Sequence, residues 1–149
     1  WILLVLIGSS NAVNITDGLD GLVIMPVIIA ASILGLIAYF TGHTELSKHF
    51  DLYYIAGTGE ITVFLTGIIG AGLGFLWFNF YPAEIFMGDT GSLMLGGLLG
   101  VVAIFLRQEL LFLLIGFVFV VEAVSVILQV GSYKMRKKRM KKSKASLFI

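Results

Sequence analysis

The stretch LVIMPVIIAASILGLIAYF, Leu22–Phe40, decides the fold. It carries no charged side chain, and as a helix rising 1.5 Å per residue it reaches about 28 Å. That is close to the roughly 30 Å hydrocarbon core of a bilayer. Pro26 falls in its first turns, where a missing N–H matters least. Leu22–Phe40 therefore reads as a membrane-spanning helix.

Outward from this run the pattern repeats. Ile61–Phe80 reads as a second span, Leu93–Leu106 as a third and Gly-rich one, and Leu110–Val130 as the last. Gly67, Gly70, Gly72 and Gly74 in the second span are small residues of the kind that let neighbouring helices approach closely. The polar connections are Gly8–Gly21, Thr41–Gly59, Tyr81–Ser92 and the tight turn Arg107-Gln108-Glu109. The opening run Trp1–Ile7 is only about 10 Å long as a helix. It reads as the tail of a helix that begins outside the chain, so the chain is expected to be a fragment. The expected fold is all-α: a polytopic transmembrane helical bundle of four full spans plus the end of a fifth. Residues 1–133 form the transmembrane part and residues 134–149 a basic cytoplasmic tail.

Composition agrees with this class. Of 149 residues, 58% are hydrophobic and only 13% charged, too little charge to wet the surface of a soluble domain. There is no cysteine, which excludes disulfides and thiolate metal sites. No basic start, short apolar run and small-residue cleavage site mark a secretory signal. Eight of the ten basic residues lie between Lys134 and Lys144, a segment suited to anionic lipid head groups. By the positive-inside rule this tail is cytoplasmic. Counting back through the spans, Tyr81–Ser92 and Gly8–Gly21 are cytoplasmic too. That sorting uses Lys and Arg alone, yet it gathers Asp17, Asp20, Glu84 and Asp89 on one side. Trp77 and Tyr81 at the same boundary suit an aromatic belt.

Two polar clusters could carry chemistry. In the first, Asn14, Asp17 and Asp20 are spaced three apart, with Asn11 a turn earlier. They share one face if the segment is helical, and can converge on a ligand if it is a Gly-bent loop. The plainer reading is a solvated loop whose Asn and Asp cap the next helix. In the second, FMGDTGS (Phe86–Ser92), one carboxylate stands between two glycines at the mouth of a span. A single carboxylate with phosphate oxygens and waters is a common way to hold Mg²⁺. The plainer reading is Asp89 or Ser92 capping a helix over Gly91–Leu106. Glu122 lies inside the last span. It is either a functional intramembrane carboxylate or a structural one, hydrogen-bonded with Ser125 and Gln129. His43 and His49 read as surface residues of the outward loop.

The strings SSNAVNITDGLDGL (Ser9–Leu22), GAGLGFLWFNFYPAEIFMGDTGSLMLGG (Gly70–Gly97), RQEL (Arg107–Leu110) and VVEAVSVILQVGSYK (Val120–Lys134) closely resemble the bacterial phospho-N-acetylmuramoyl-pentapeptide transferase family. These enzymes belong to the polyprenyl-phosphate N-acetylhexosamine-1-phosphate transferases. The resemblance covers nearly the whole chain to about Met135. It implies an enzyme of the bacterial inner membrane that moves phospho-MurNAc-pentapeptide from UDP-MurNAc-pentapeptide to undecaprenyl phosphate, giving lipid I and UMP. Asp89 matches the family's Mg²⁺-binding aspartate. Asn14, Asp17, Gly18, Leu19 and Asp20 match its nucleotide-binding and catalytic loop, with Asp17, Asp20 and Asp89 in catalytic roles. Phe86 matches an aromatic that stacks on uracil, and Asn79 a polar residue at the nucleotide. Glu122 and Ser125 match a segment near the nucleotide pocket. The bilayer is the surrounding partner, a homodimer is a further expectation, and no nucleic acid is involved.

The departures are specific. The family's adjacent aspartate pair with its lysine precedes the matched region, and its three-histidine motif has no counterpart after the basic segment. The isolated chain is therefore expected to be inactive. The alternatives are a sister transferase using UDP-GlcNAc, a transporter or channel subunit with Asp17, Asp20 and Glu122 along its path, and a non-catalytic scaffold.

Overall fold

The computed structural model describes residues 1–146, with side chains through residue 137. The described residues are helical and contain no strand. In chain order the helices are α1 (Ile2–Thr16), α2 (Ile24–Gly42), α3 (Thr44–His49), α4 (Thr58–Asn79), α5 (Gly88–Phe105), α6 (Glu109–Ile115) and α7 (Phe117–Ser146). Four stretches are long and apolar enough to cross a membrane: Ile24–Gly42, Thr58–Asn79, Gly88–Phe105 and Phe117–Lys137. Many large apolar side chains on α4 and α7 face outward, including Val63, Phe64, Trp77, Ile127 and Leu128. A water-soluble monomer rarely leaves so broad an apolar surface exposed, whereas a bilayer accepts it. The chain is part of a multi-pass membrane protein.

Two antiparallel helix pairs build the core. In the first, α2 buries Val27, Ala30, Ala31, Leu34 and Ala38 largely against α4. Gly72 lets Ile28 lie flush on α4, since a Cβ there would stand 2.9 Å from Ile28 Cγ1. Near the other end Thr41 and Thr58 share a hydrogen bond of 3.2 Å, and the Thr62 hydroxyl donates to the Gly35 carbonyl. In the second pair, α5 presses its glycines onto α1. A Cβ at Gly96 would stand 2.6 Å from the Ser9 carbonyl oxygen and 2.9 Å from Ser10 Cα. Gly100 likewise meets the Ser9 side chain. Without a hydrophobic drive between helices in lipid, such close backbone contact supplies the packing.

Several expectations need correction. Of the four glycines singled out on α4, only Gly72 serves a helix contact, while Gly67, Gly70 and Gly74 have nothing within 4 Å. The close packing lies instead at Gly96 and Gly100 of α5. The segment Gly8–Gly21 is not one loop, because α1 continues through it to Thr16 and leaves a short connection before α2. Neither helix N-terminus carries the expected polar cap. Val23 precedes α2 and Met87 precedes α5, both without a side-chain cap. α5 starts at Gly88, which puts Ser92 inside the helix. Thr41–Gly59 contains the short helix α3.

The last span is also not uniform. It breaks between α6 and α7 at Gly116, whose φ of −84° and ψ of 16° leave the helical basin. The bonds from Gly116 N–H to the Phe112 carbonyl and from Val120 N–H to the Gly116 carbonyl bridge the break, so the result is a kink. Beyond it α7 runs from Phe117 to Ser146. Basic side chains past residue 137, on which the lipid-anchor reading rests, lie outside the described residues.

Gly96→Ala should destabilise the detergent-solubilised chain by about 1–3 kcal/mol, because backbone on both sides must shift. Gly67→Ala should be neutral or stabilising, since it adds a methyl to an open helix face. Thermal unfolding of the two variants side by side checks the difference.

Candidate functional site at the polar end of the bundle

The antiparallel pairing brings the end of α1, the end of α4 and the start of α5 to one end of the bundle. Three side-chain links tie them together. Ser92, fully buried on α5, donates its hydroxyl to Asn14 Oδ1 on α1 at 2.6 Å. The Asp20 carboxylate accepts from the Ala83 N–H at 3.1 Å. Asn79, the last residue of α4, is 8% exposed and works in both directions. Its Oδ1 accepts from the Gly21 N–H at 3.0 Å and its Nδ2 donates to the Ile85 carbonyl at 2.7 Å.

The local backbone explains why these groups can meet. Gly21 holds φ at +72° where the chain turns from α1 toward α2. A side chain there would be strained by that φ, although its Cβ would meet the Asn79 carbonyl and Leu76 only at ordinary contact distance. On the other side, the Glu84 N–H returns to the Phe78 carbonyl at 2.8 Å, which folds Phe80–Met87 back over the end of α4. Gly88 opens α5 at φ +67°, and Asp89 follows in its first turn, where the helix dipole favours a negative charge.

Of the residues expected at the site, Asn14, Asp17, Gly18, Leu19, Asp20, Asn79, Phe86 and Asp89 lie on these converging segments. Asp17 terminates α1, its N–H bonded to the Asn14 carbonyl. Burial holds the Asp17 carboxyl above the usual carboxylate range, and the nearby Asp89 carboxylate pushes it further in the same direction. Asp89 itself is exposed. Phe86 and Leu19 stand out into the open, 71% and 72% exposed. Together they give two acidic residues on converging segments, with an open aromatic ring and an exposed Gly-Leu turn beside them.

Glu122 and Ser125 are not joined to this cluster by any hydrogen bond among the described residues. Ser125 Oγ instead accepts from Gln129 Nε2 at 3.2 Å along the same helix. His43 belongs to the opposite end, where its ring nitrogen meets the Tyr39 carbonyl. The backbone partners Gly21, Ala83 and Ile85 were not anticipated. No residue type announces a backbone group, although the glycine after Asp20 hints at a turn that only glycine fits.

Among the described residues, no three His, Asp or Glu side chains come near enough to cage a metal. A Mg²⁺ ion does not need such a cage, since it commonly takes one or two carboxylates and completes its shell with phosphates and water. Asp89 with Asp17 beside it suits that mode. The Asp89 charge that adds to burial in raising Asp17 is also what a divalent cation would offset.

The raised carboxyl has a stability consequence. The folded chain holds the Asp17 proton to higher pH than the unfolded chain does. Stability therefore falls as pH rises from the ordinary carboxylate range through the raised value, and the penalty persists at neutral pH. Asp17→Asn should raise the melting temperature at neutral pH without divalent ions, and the gain should shrink in acid below the ordinary range. Thermal melts at both pH values check this.

The model of glycosyl transferase family 4 matches residues 1–107. The phospho-N-acetylmuramoyl-pentapeptide-transferase of Fusobacterium nucleatum subsp. nucleatum is 69% identical over 137 residues, which cover 92% of this chain and 38% of that protein. The chain thus spans well under half the length of the curated relative it matches. The family match reaches from α1 across both acidic loops to the end of α5, so on the elements that build this site the chain belongs to glycosyl transferase family 4.

Proposed function

We propose that this chain forms part of the active site of a membrane transferase that moves phospho-MurNAc-pentapeptide from UDP-MurNAc-pentapeptide to undecaprenyl phosphate, producing lipid I and UMP. The observation that carries the reading is the convergence of the Asp17 and Asp89 segments at one end of a membrane bundle, where Ser92 on α5 donates to Asn14 on α1 and the Phe86 ring stands open. The similarity to a protein named phospho-N-acetylmuramoyl-pentapeptide-transferase favours the muramoyl branch over the UDP-GlcNAc one.

In the reaction, an oxygen of the lipid phosphate attacks the sugar-bearing phosphorus of the donor. A new P–O bond forms and the bond to the bridging oxygen breaks, releasing UMP with that oxygen and its charge. Bound Mg²⁺ would neutralise the pyrophosphate and the leaving phosphate, held by Asp89 with Asp17 adjacent. The chain's own groups do the rest. Phe86 offers its ring to uracil. Asn14, its Oδ1 already engaged by Ser92, keeps its amide N–H groups for an anionic oxygen. The Gly18-Leu19 turn lets backbone come close to the nucleotide. The resemblance alone assigns Glu122 and Ser125 of α7 to the surroundings of the nucleotide. This polar end faces the cytoplasm, where the UDP-linked donor is made, and the spans let the lipid phosphate reach it from the bilayer.

The test is UMP release by the full-length enzyme containing this segment, with UDP-MurNAc-pentapeptide, undecaprenyl phosphate and Mg²⁺. Asp89→Asn should lower kcat by at least about 100-fold, the loss expected when a charge-stabilising group is removed. Undiminished turnover in Asp89→Asn overturns the assignment.

A further inference from the structure

We propose that the connection between α2 and α4 is a membrane-interface anchor, with Phe50, Tyr53 and Tyr54 seated in the lipid head-group boundary at the end of the bundle opposite the acidic loops. The partner is the bilayer surface. The inference stands on the membrane fold alone, whatever the acidic loops bind.

The connection is tied to the end of α2. The Ile55 N–H donates to the Thr41 carbonyl at 3.0 Å, and the Thr41 and Thr58 hydroxyls meet at 3.2 Å. The Phe50 ring stacks on Phe40, in the last turn of α2, with centroids 4.9 Å apart. Beside it the rings of Tyr39 and His43 meet at 4.4 Å. These contacts draw residues 52–56 back to the level at which α2 leaves the hydrocarbon.

Charge and aromatic surface are then segregated along the connection. Glu45, Lys48 and Asp51 lie in or just after α3, whereas residues 52–56 carry no charge. In that uncharged return Tyr53 is 82% and Tyr54 52% exposed, and Phe50 shortly before them is half exposed. A tyrosine has an apolar body and a hydroxyl tip, which suits a boundary that is dry on one side and wet on the other.

The spacing along α4 supports lipid as the occupant. Trp77 and Tyr81 are exposed at the far end of this helix. Its 22 residues reach about 33 Å, close to the roughly 30 Å of one hydrocarbon core. The large side chains exposed along its middle, Val63, Phe64 and Leu73, are purely apolar. Two sets of amphipathic rings thus bracket an apolar band of one bilayer thickness, the arrangement of paired aromatic belts. A soluble partner docked on Tyr53 and Tyr54 would not require that spacing.

The experiment places the full chain in phosphatidylcholine nanodiscs. Tyr53→Trp and Tyr54→Trp are made separately in a Trp1→Phe, Trp77→Phe background, so that each variant has one indole. Both reporters should lose more emission to lipid brominated near the head group than to lipid brominated near the chain end, and should be partly shielded from iodide in the water. Full access to iodide with no loss to brominated lipid, as for a loop held in water, overturns the anchor. Shielding from both quenchers, as for rings covered by protein, overturns it too. The unsubstituted chain gives a second reading by NMR. A lipid with a paramagnetic head group should broaden the Tyr53 and Tyr54 rings more than the Leu65 methyls in the middle of α4, and equal or weaker broadening of the rings overturns the proposal.

Discussion

The backbone contact between α1 and α5 is the constraint on which the polar end of the bundle depends. Gly96 lies so close to Ser9 and Ser10 that even a methyl group has no room. That approach lets the Ser10 hydroxyl reach the Leu93 carbonyl and the Ser92 hydroxyl reach Asn14, both at under 3 Å. It also sets the end of α1 beside the start of α5, which makes Asp17 and Asp89 neighbours although they lie far apart in the chain. A larger residue at Gly96 would push the helices apart and separate the carboxylates. A packing feature in the apolar part of the bundle thus controls the electrostatics of the site.

The two helix pairs divide the work. The α1–α5 pair brings the acids to one end, and the α2–α4 pair sets Gly21, just before α2, beside Asn79 at the end of α4, where the Gly21 N–H donates to Asn79 Oδ1. Much of the remaining surface of α4 and α7 is apolar and outward-facing, the face expected toward lipid or toward further helices of a longer protein. Within that surface the kink at Gly116 borders an apolar cavity of about 300 Å³ between α1, α6 and α7. It lies along α1 and is lined by Val5, Ala12, Phe112 and Phe119 among others, and not by Asp17, Asp20 or Asp89.

Much of this was legible in the residues themselves. Leu22–Phe40 and Ile61–Phe80 carry no charged side chain and are of membrane length, and both are helices within a few residues of those bounds. Sorting Lys and Arg by side put the acidic loops together, and the hydrogen bonds between Asp20 and Ala83 and between Asn14 and Ser92 place them at one end. The errors have physical causes. Asn11 and Asn14 are polar enough to read as loop, yet in α1 they bond to helix partners: Asn11 to the Ile7 carbonyl and Asn14 to Ser92. Glycine frequency alone does not say which glycine faces a neighbour, so the α4 glycines drew attention that belongs to Gly96 and Gly100. The Gly116 kink was hidden because the run around it is apolar on both sides. The two hydrogen bonds of Asn79 were hidden because its partners are backbone groups.

The central claim is that α1 and α5 bring two carboxylates distant in sequence into one electrostatic site. The most direct measurement is the side-chain carbon NMR titration of Asp17, in the wild-type chain and in Asp89→Asn, without divalent ions. The wild-type Asp17 should titrate above the ordinary carboxylate range, and removal of the Asp89 charge should move it down toward that range. An Asp17 titration that does not respond to Asp89→Asn would contradict the shared site.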